Sequence, residues 1–155
     1  MRTLQIALLA AFVLPAALPQ QPAVVKVAPA KTVTAKQGSI VEVPLDVTVD
    51  AGYHVNSNTP SDPFLIGLRL TWTPGALEGA DVTFPAAKTK KFGFSEKPLS
   101  VFSGQFRVVT KFVVAKNAPA GLGIVTGKLR YQACNDRACL PPKSIDVELP
   151  VEIPK

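Results

Sequence analysis

From residue 23 onward the apolar residues recur at every second position, the period of a strand that buries one face. In "SIVEVPLDVTVD" Val41, Val43, Leu45, Val47 and Val49 face one way, while Glu42, Asp46, Thr48 and Asp50 face the other. Pro44 falls on the polar side, which suits an edge strand. "FLIGLRLTWTP" groups Phe64, Ile66, Leu68, Leu70 and Trp72, and "FRVVTKFVVAKN" groups Phe106, Val108, Thr110, Phe112 and Val114. "SIDVELPVEI" sets Ile145, Val147, Leu149, Val151 and Ile153 against Asp146, Glu148 and Glu152. Trp72 and the phenylalanines are read as core residues.

Between these runs lie "DAGYHVNSNTPSDP", "TPGALEGAD" and "KNAPAGLG", rich in the residues that make turns. Helical spacing is nearly absent. About seven or eight short strands, each with one apolar face, predict an all-β, immunoglobulin-like two-sheet β-sandwich. A closed β-barrel is the alternative that pattern alone does not separate.

A chain of 155 residues with 47% hydrophobic content supports one core, hence one domain over residues 23–155. Ahead of it, Met-Arg-Thr, the apolar run "LQIALLAAFVLPAAL" and "PQQPA" read as a secretory signal peptide over residues 1–22. That run is interrupted by Pro15 and falls short of the ~20 apolar residues of a bilayer-spanning helix. Export is therefore expected, and with it an oxidising compartment. Losing the leader removes Arg2 and no acid, one unit from the formal charge of +6. Lys88, Lys90, Lys91 and Lys97 cluster around Phe92 and Phe94, and are read as a solvated basic loop, with no nucleic-acid partner. A monomer is expected.

The candidate chemistry is confined to "YQACNDRACLPP", which holds both cysteines, Cys134 and Cys139. Three readings compete. As a staple the pair is weak: closing a ring of about six residues restrains the unfolded chain by roughly 2 kcal/mol, against about 4 for a bridge spanning ~60 residues. As a redox couple it needs an accessible sulfur. The period places Leu129, Tyr131 and Ala133 inward, so Cys134 is expected to face outward with Arg130 and Gln132, its sulfur near the surface. Arg137 would favour a thiolate and Asp136 would oppose it. As a metal clip the pair lacks ligands: His54 is the only histidine and the only methionine, Met1, lies in the leader, so zinc and copper(I) are the weakest readings and no cofactor or metal is expected. His54, in a turn-rich stretch, is read as a solvated or hydrogen-bonded side chain. On the residues alone, structural disulfide and redox pair both stay open.

"LRYQACNDRACLPPKSIDVELPVEI" resembles the closing segment of the N-terminal periplasmic domain of the thiol:disulfide interchange protein DsbD. "AGYHVNSNTPSDPFL" and "KKFGFSEKPLSVFSGQF" are similar to that family's Gly-Tyr segment and aromatic loop. The resemblance implies an immunoglobulin-like fold and a periplasmic electron relay, a thiol-disulfide oxidoreductase in which Cys134 and Cys139 alternate between disulfide and dithiol. Cys139 would form the mixed disulfide, Phe92 and Phe94 would cap the pair, and Tyr131 and Tyr53 would lie near it. Implied partners are thioredoxin-like proteins, a membrane electron transporter of the DsbD/CcdA type, and periplasmic disulfide proteins, including those of cytochrome c maturation. The rival is a non-catalytic immunoglobulin-like interaction module with a structural disulfide.

Overall fold

A computed structural model describes residues 23–155. The leader expected over residues 1–22 lies outside the described residues. The strands in chain order are β1 (Val25–Val27), β2 (Val33–Thr34), β3 (Ile40–Val49), β4 (His54–Asn56), β5 (Arg69–Trp72) and β6 (Leu77–Thr83). They continue as β7 (Lys88–Lys90), β8 (Leu99–Phe102), β9 (Gln105–Val114), β10 (Gly121–Tyr131), β11 (Ala133–Cys134) and β12 (Lys143–Ile153).

Two four-stranded sheets form the body, in the orders β1-β3-β9-β6 and β2-β12-β10-β5. This is immunoglobulin topology, with the opening strand split between the sheets: β1 runs antiparallel to β3, whereas β2 runs parallel to β12. The alternation forecast for β3, β9 and β12 sets their apolar faces between the sheets. Leu45, Val47, Val108, Leu129 and Val147 share one buried cluster, and Val43, Phe112, Val125, Leu149 and Val151 share another. Pro44 lies on β3 beyond the reach of β1, which pairs only with Val47–Val49, so the missing N–H falls where β3 has a single neighbour, β9.

To the expected two-sheet sandwich the structure adds a third, smaller sheet, in the order β11-β4-β8-β7, which raises the strand number from the expected seven or eight to twelve among the described residues. It is assembled from the β3–β5, β6–β9 and β10–β12 connections, which leave the same end of the sandwich. Its strands carry no period-2 signal: His54, Val55 and Asn56 of β4 are all buried, and Lys88, Thr89 and Lys90 of β7 are all exposed. A pattern search therefore reads them as turn and basic loop.

Phe64 also departs from expectation. It is 92% exposed, since β5 begins only at Arg69 and the Asp62 carboxylate, accepting the Phe64 N–H at 2.8 Å, turns the chain before it. Phe94 is exposed as well, while Phe92, Phe102 and Phe112 are buried as expected.

Candidate redox site

β10 leaves the second sheet at Tyr131 and re-enters pairing two residues later as β11, now against β4. Gln132 pins the switch: its Oε1 accepts from the Ile66 N–H at 3.3 Å and from Asn56 Nδ2 at 3.4 Å. Changing sheets breaks the alternation, so Ala133 and Cys134 are both buried. The outward Cys134 forecast by strand period is thus overturned, and its accessibility is 0%.

After Cys134 the chain reverses through Asn135–Ala138. The Asn135 Oδ1 accepts from the Arg137 and Ala138 N–H groups, each at 2.9 Å, and the Asn135 N–H donates to the Ala138 carbonyl at 3.0 Å. This side-chain turn is what Asn is suited to build. It brings Cys134 and Cys139 opposite one another as an isolated antiparallel bridge, Cα to Cα 3.9 Å, joined by a disulfide. The Leu140 N–H reaches the Ala133 carbonyl at 2.8 Å, after which Pro141 and Pro142 are both exposed and supply no N–H. Cys139 is half-buried. The two cysteines therefore differ in exposure, Cys139 lying nearer the surface than Cys134. Asp136 and Arg137, the charges weighed for thiolate stabilisation, are exposed at the turn.

Cys134 stands directly opposite His54 in the β11–β4 register. Directly opposed residues of an antiparallel pair project on the same face, with Cβ atoms roughly 5 Å apart. His54 is neither solvated nor fully hydrogen-bonded, contrary to expectation: it is 4% exposed and its Nε2 has no partner. Instead its ring stacks on Phe92, centroids 3.9 Å apart. Phe92 in turn stacks on Phe94 at 5.6 Å, and Phe94 lies 6.4 Å from the His54 ring, so the β7–β8 loop sets both of its aromatic rings against His54. Phe92 is anchored with Leu99, Val101 and Leu65, and Lys90 Nζ sits 5.1 Å from its ring centroid. Burial holds the His54 imidazolium pKa below the ordinary histidine value; the Lys90 charge pushes the same way, and Asp136 opposes both.

The tyrosines separate. Tyr131 is buried in the main core, where burial raises the phenol pKa. Tyr53 is half-buried against the same core and lines a recess with His54, Lys90, Ser103 and Asp136. The residue that sequence reasoning undervalued is His54. Its signal lay in adjacency to Tyr53 within the Gly-Tyr segment, but the register that sets it against Cys134 is a long-range pairing.

The family model described as "Thiol:disulfide interchange protein DsbD, N-terminal" matches residues 21–150. The chain belongs to that family. It is a thiol-disulfide interchange domain of the DsbD N-terminal kind, and its cysteine pair is consistent with thiol-disulfide oxidoreductase activity. Among solved structures it is similar to the N-terminal periplasmic domain of ScsB from Proteus mirabilis, with 12% identity and a TM-score of 0.56 over 81% of this chain. The match covers 44% of that chain's length. It is also similar to the reduced DsbD N-terminal domain of Neisseria meningitidis, with 16% identity, a TM-score of 0.47, and coverage of 69% of this chain and 74% of that one. No curated protein matches the chain in sequence.

Proposed function

We propose that the domain is a periplasmic electron relay, exported by its leader, that passes reducing equivalents from a thioredoxin-like or membrane-embedded donor to extracytoplasmic disulfide proteins. The observation that carries this reading is the unequal exposure of the two bridged cysteines, with Cys134 at 0% and Cys139 only half-buried. A buried staple would not need one reachable sulfur; an exchange couple does.

The reaction divides between them. A donor thiolate attacks the Cys139 sulfur, the Cys134–Cys139 bond breaks, and Cys134 leaves with the electron pair and is protonated. A second donor thiol then releases Cys139, leaving the domain as dithiol and the donor as disulfide. In the outward direction the Cys139 thiolate attacks an acceptor disulfide and Cys134 resolves the adduct. Phe92 and Phe94 act as the cap that a docking partner displaces, while Tyr131 supports the strand from within the core and Tyr53 borders the recess beside it.

Single cysteine variants test the assignment. With Cys134→Ser the unresolved adduct on Cys139 accumulates against a thioredoxin-like protein and is read by mass spectrometry after alkylation. Cys139→Ser accumulates none. Failure of both variants to capture any partner returns the domain to the reading of an interaction module with a structural disulfide.

A further inference from the structure

The relay leaves one group, opposite Cys134 in the strand register, without a task. His54 is 96% buried by its 4% exposure, its Nε2 finds no hydrogen-bond partner, and it stands across the β11–β4 pair from the cysteine that leaves when the disulfide opens. A buried polar nitrogen without a partner is costly, and natural cores seldom keep one without a use. Cys134 has the complementary problem. With no exposure, it departs as a thiolate into a site that disfavours charge, and a proton delivered there lowers the barrier to its departure.

We infer that His54 is the proton carrier of disulfide opening, accepting the proton of the incoming thiol and delivering it to the Cys134 sulfur. This rests on the relay reading above. Written for the first step, the donor S–H proton passes to the imidazole and the donor sulfur bonds to Cys139. The Cys134–Cys139 bond breaks with its electron pair on Cys134, and the imidazolium returns the proton to that sulfur. Donor thiol and disulfide become mixed disulfide and Cys134 thiol, with no net change of charge and imidazole regenerated.

The surroundings suit that role. The charged groups that face His54 are Lys90 from β7 and Asp136 from the turn between the cysteines, and Asp50 lines the same recess. Burial and Lys90 keep the ring neutral at neutral pH, able to accept a proton, and keep the imidazolium a strong acid toward a leaving thiolate. Phe92, stacked on the ring, shields it while the loop is closed. Displacement of that loop by a partner would expose disulfide and proton carrier together.

The signature is a pH profile. Attack by free thiolate accelerates about tenfold per pH unit below the thiol's pKa of ~8.5, because only the thiolate reacts. A path that uses neutral thiol and neutral imidazole is nearly independent of pH between the His54 titration and the thiol's own. The rate of reduction of the intact disulfide by dithiothreitol, followed by alkylation and mass spectrometry, is therefore measured from about pH 6.5 to 8. Wild type is expected to vary by less than about threefold over that span, whereas His54→Gln and His54→Phe climb about tenfold per unit and are at least about tenfold slower at the acid end. His54→Phe keeps an aromatic ring for Phe92 to stack on, so a defect of the loop alone would shift the rate by the same factor at every pH, and that result overturns the inference. So does a tenfold-per-unit rise in wild type, which needs no variant to fold. Partner capture by Cys134→Ser with such a rise leaves the relay standing and removes only His54; absence of capture removes the relay instead.

Discussion

Phe92 lies almost parallel to the imidazole of His54, with 18° between their planes and 3.9 Å between their centroids. With the looser Phe94–His54 stack at 6.4 Å, it ties the β7–β8 loop to the strand that pairs with Cys134, so the loop proposed as the cap and that strand share a contact. Phe92→Ala removes the ring from its pocket with Leu99, Val101 and Leu65, and is expected to destabilise the domain by about 3 kcal/mol in denaturant unfolding. The same change should quicken reduction of the disulfide by a small thiol. Phe94, 39% exposed beside Phe92, contributes less burial, and Phe94→Ala should cost under about 1 kcal/mol. Phe92→Ala with an unaltered reduction rate would show that the loop is packing and not a cap.

The depressed pKa of His54 makes stability depend on pH in a fixed direction. The unfolded chain binds a proton near pH 6.5 and the folded one only at lower pH, so below about 6.5 the unfolded state holds more protons and stability falls as pH falls. The contribution is complete above pH 6.5 and is lost as pH descends toward the folded-state pKa, with a slope of at most about 1.4 kcal/mol per unit. Urea unfolding at a series of pH values, repeated with His54→Phe, isolates it: the variant should show a flatter profile below about pH 6.5. Asp46 titrates elsewhere. Its carboxyl is held below the usual range by the hydrogen bond from Arg107, so its contribution, present above the ordinary Asp value, disappears only at more acid pH.

Removing the disulfide should leave the fold standing. The main clusters are built from β3, β9, β10 and β12, and the bridged ring closes only the turn between β11 and β12. Loop entropy for so short a ring gives a loss of about 2 kcal/mol. The double variant Cys134→Ala with Cys139→Ala is therefore expected to keep its far-ultraviolet circular dichroism and to unfold cooperatively at a lower denaturant midpoint. Loss of native structure on reduction would contradict a domain that must survive in both redox states.

The body of the fold was legible because its long strands obey one rule. β3, β9 and β12 each bury alternate residues over ten residues or more, and that pattern survives any uncertainty in their partners. The functional end was legible only in part. The cysteine motif and the two aromatic residues of the β7–β8 loop could be named, but Cys134 was placed on the wrong side, because alternation was continued through Gln132 where the chain passes from one sheet to another. The stretch His54–Asn56 hid for a related reason: a three-residue strand buried on both faces shows no period, and its partners lie far away in sequence. Phe64 shows the opposite error, an apolar residue in phase with β5 that falls on a turn before the strand begins.

Gly127 offers a test of the body that is independent of the site. It pairs directly with Trp72 across β10 and β5, and a methyl group there would stand 2.6 Å from Cε3 of the indole and 2.8 Å from the Thr71 carbonyl oxygen. The indole is not free to retreat. Its Nε1–H donates to Thr110 Oγ1 on the facing sheet at 3.0 Å, and its ring meets Phe112 edge-on at 5.3 Å. Gly127→Ala must therefore move either the strand pair or the sheet-to-sheet bond, and overpacking of this kind costs about 1–3 kcal/mol. Thr110→Val removes the acceptor alone, at about 1 kcal/mol. If the methyl acts by pushing the indole off Thr110, the double variant is less destabilised than the sum of the two singles, a coupling that a double-mutant cycle in denaturant reads directly. Strict additivity would place the strain in the β5–β10 backbone and leave the indole where it is.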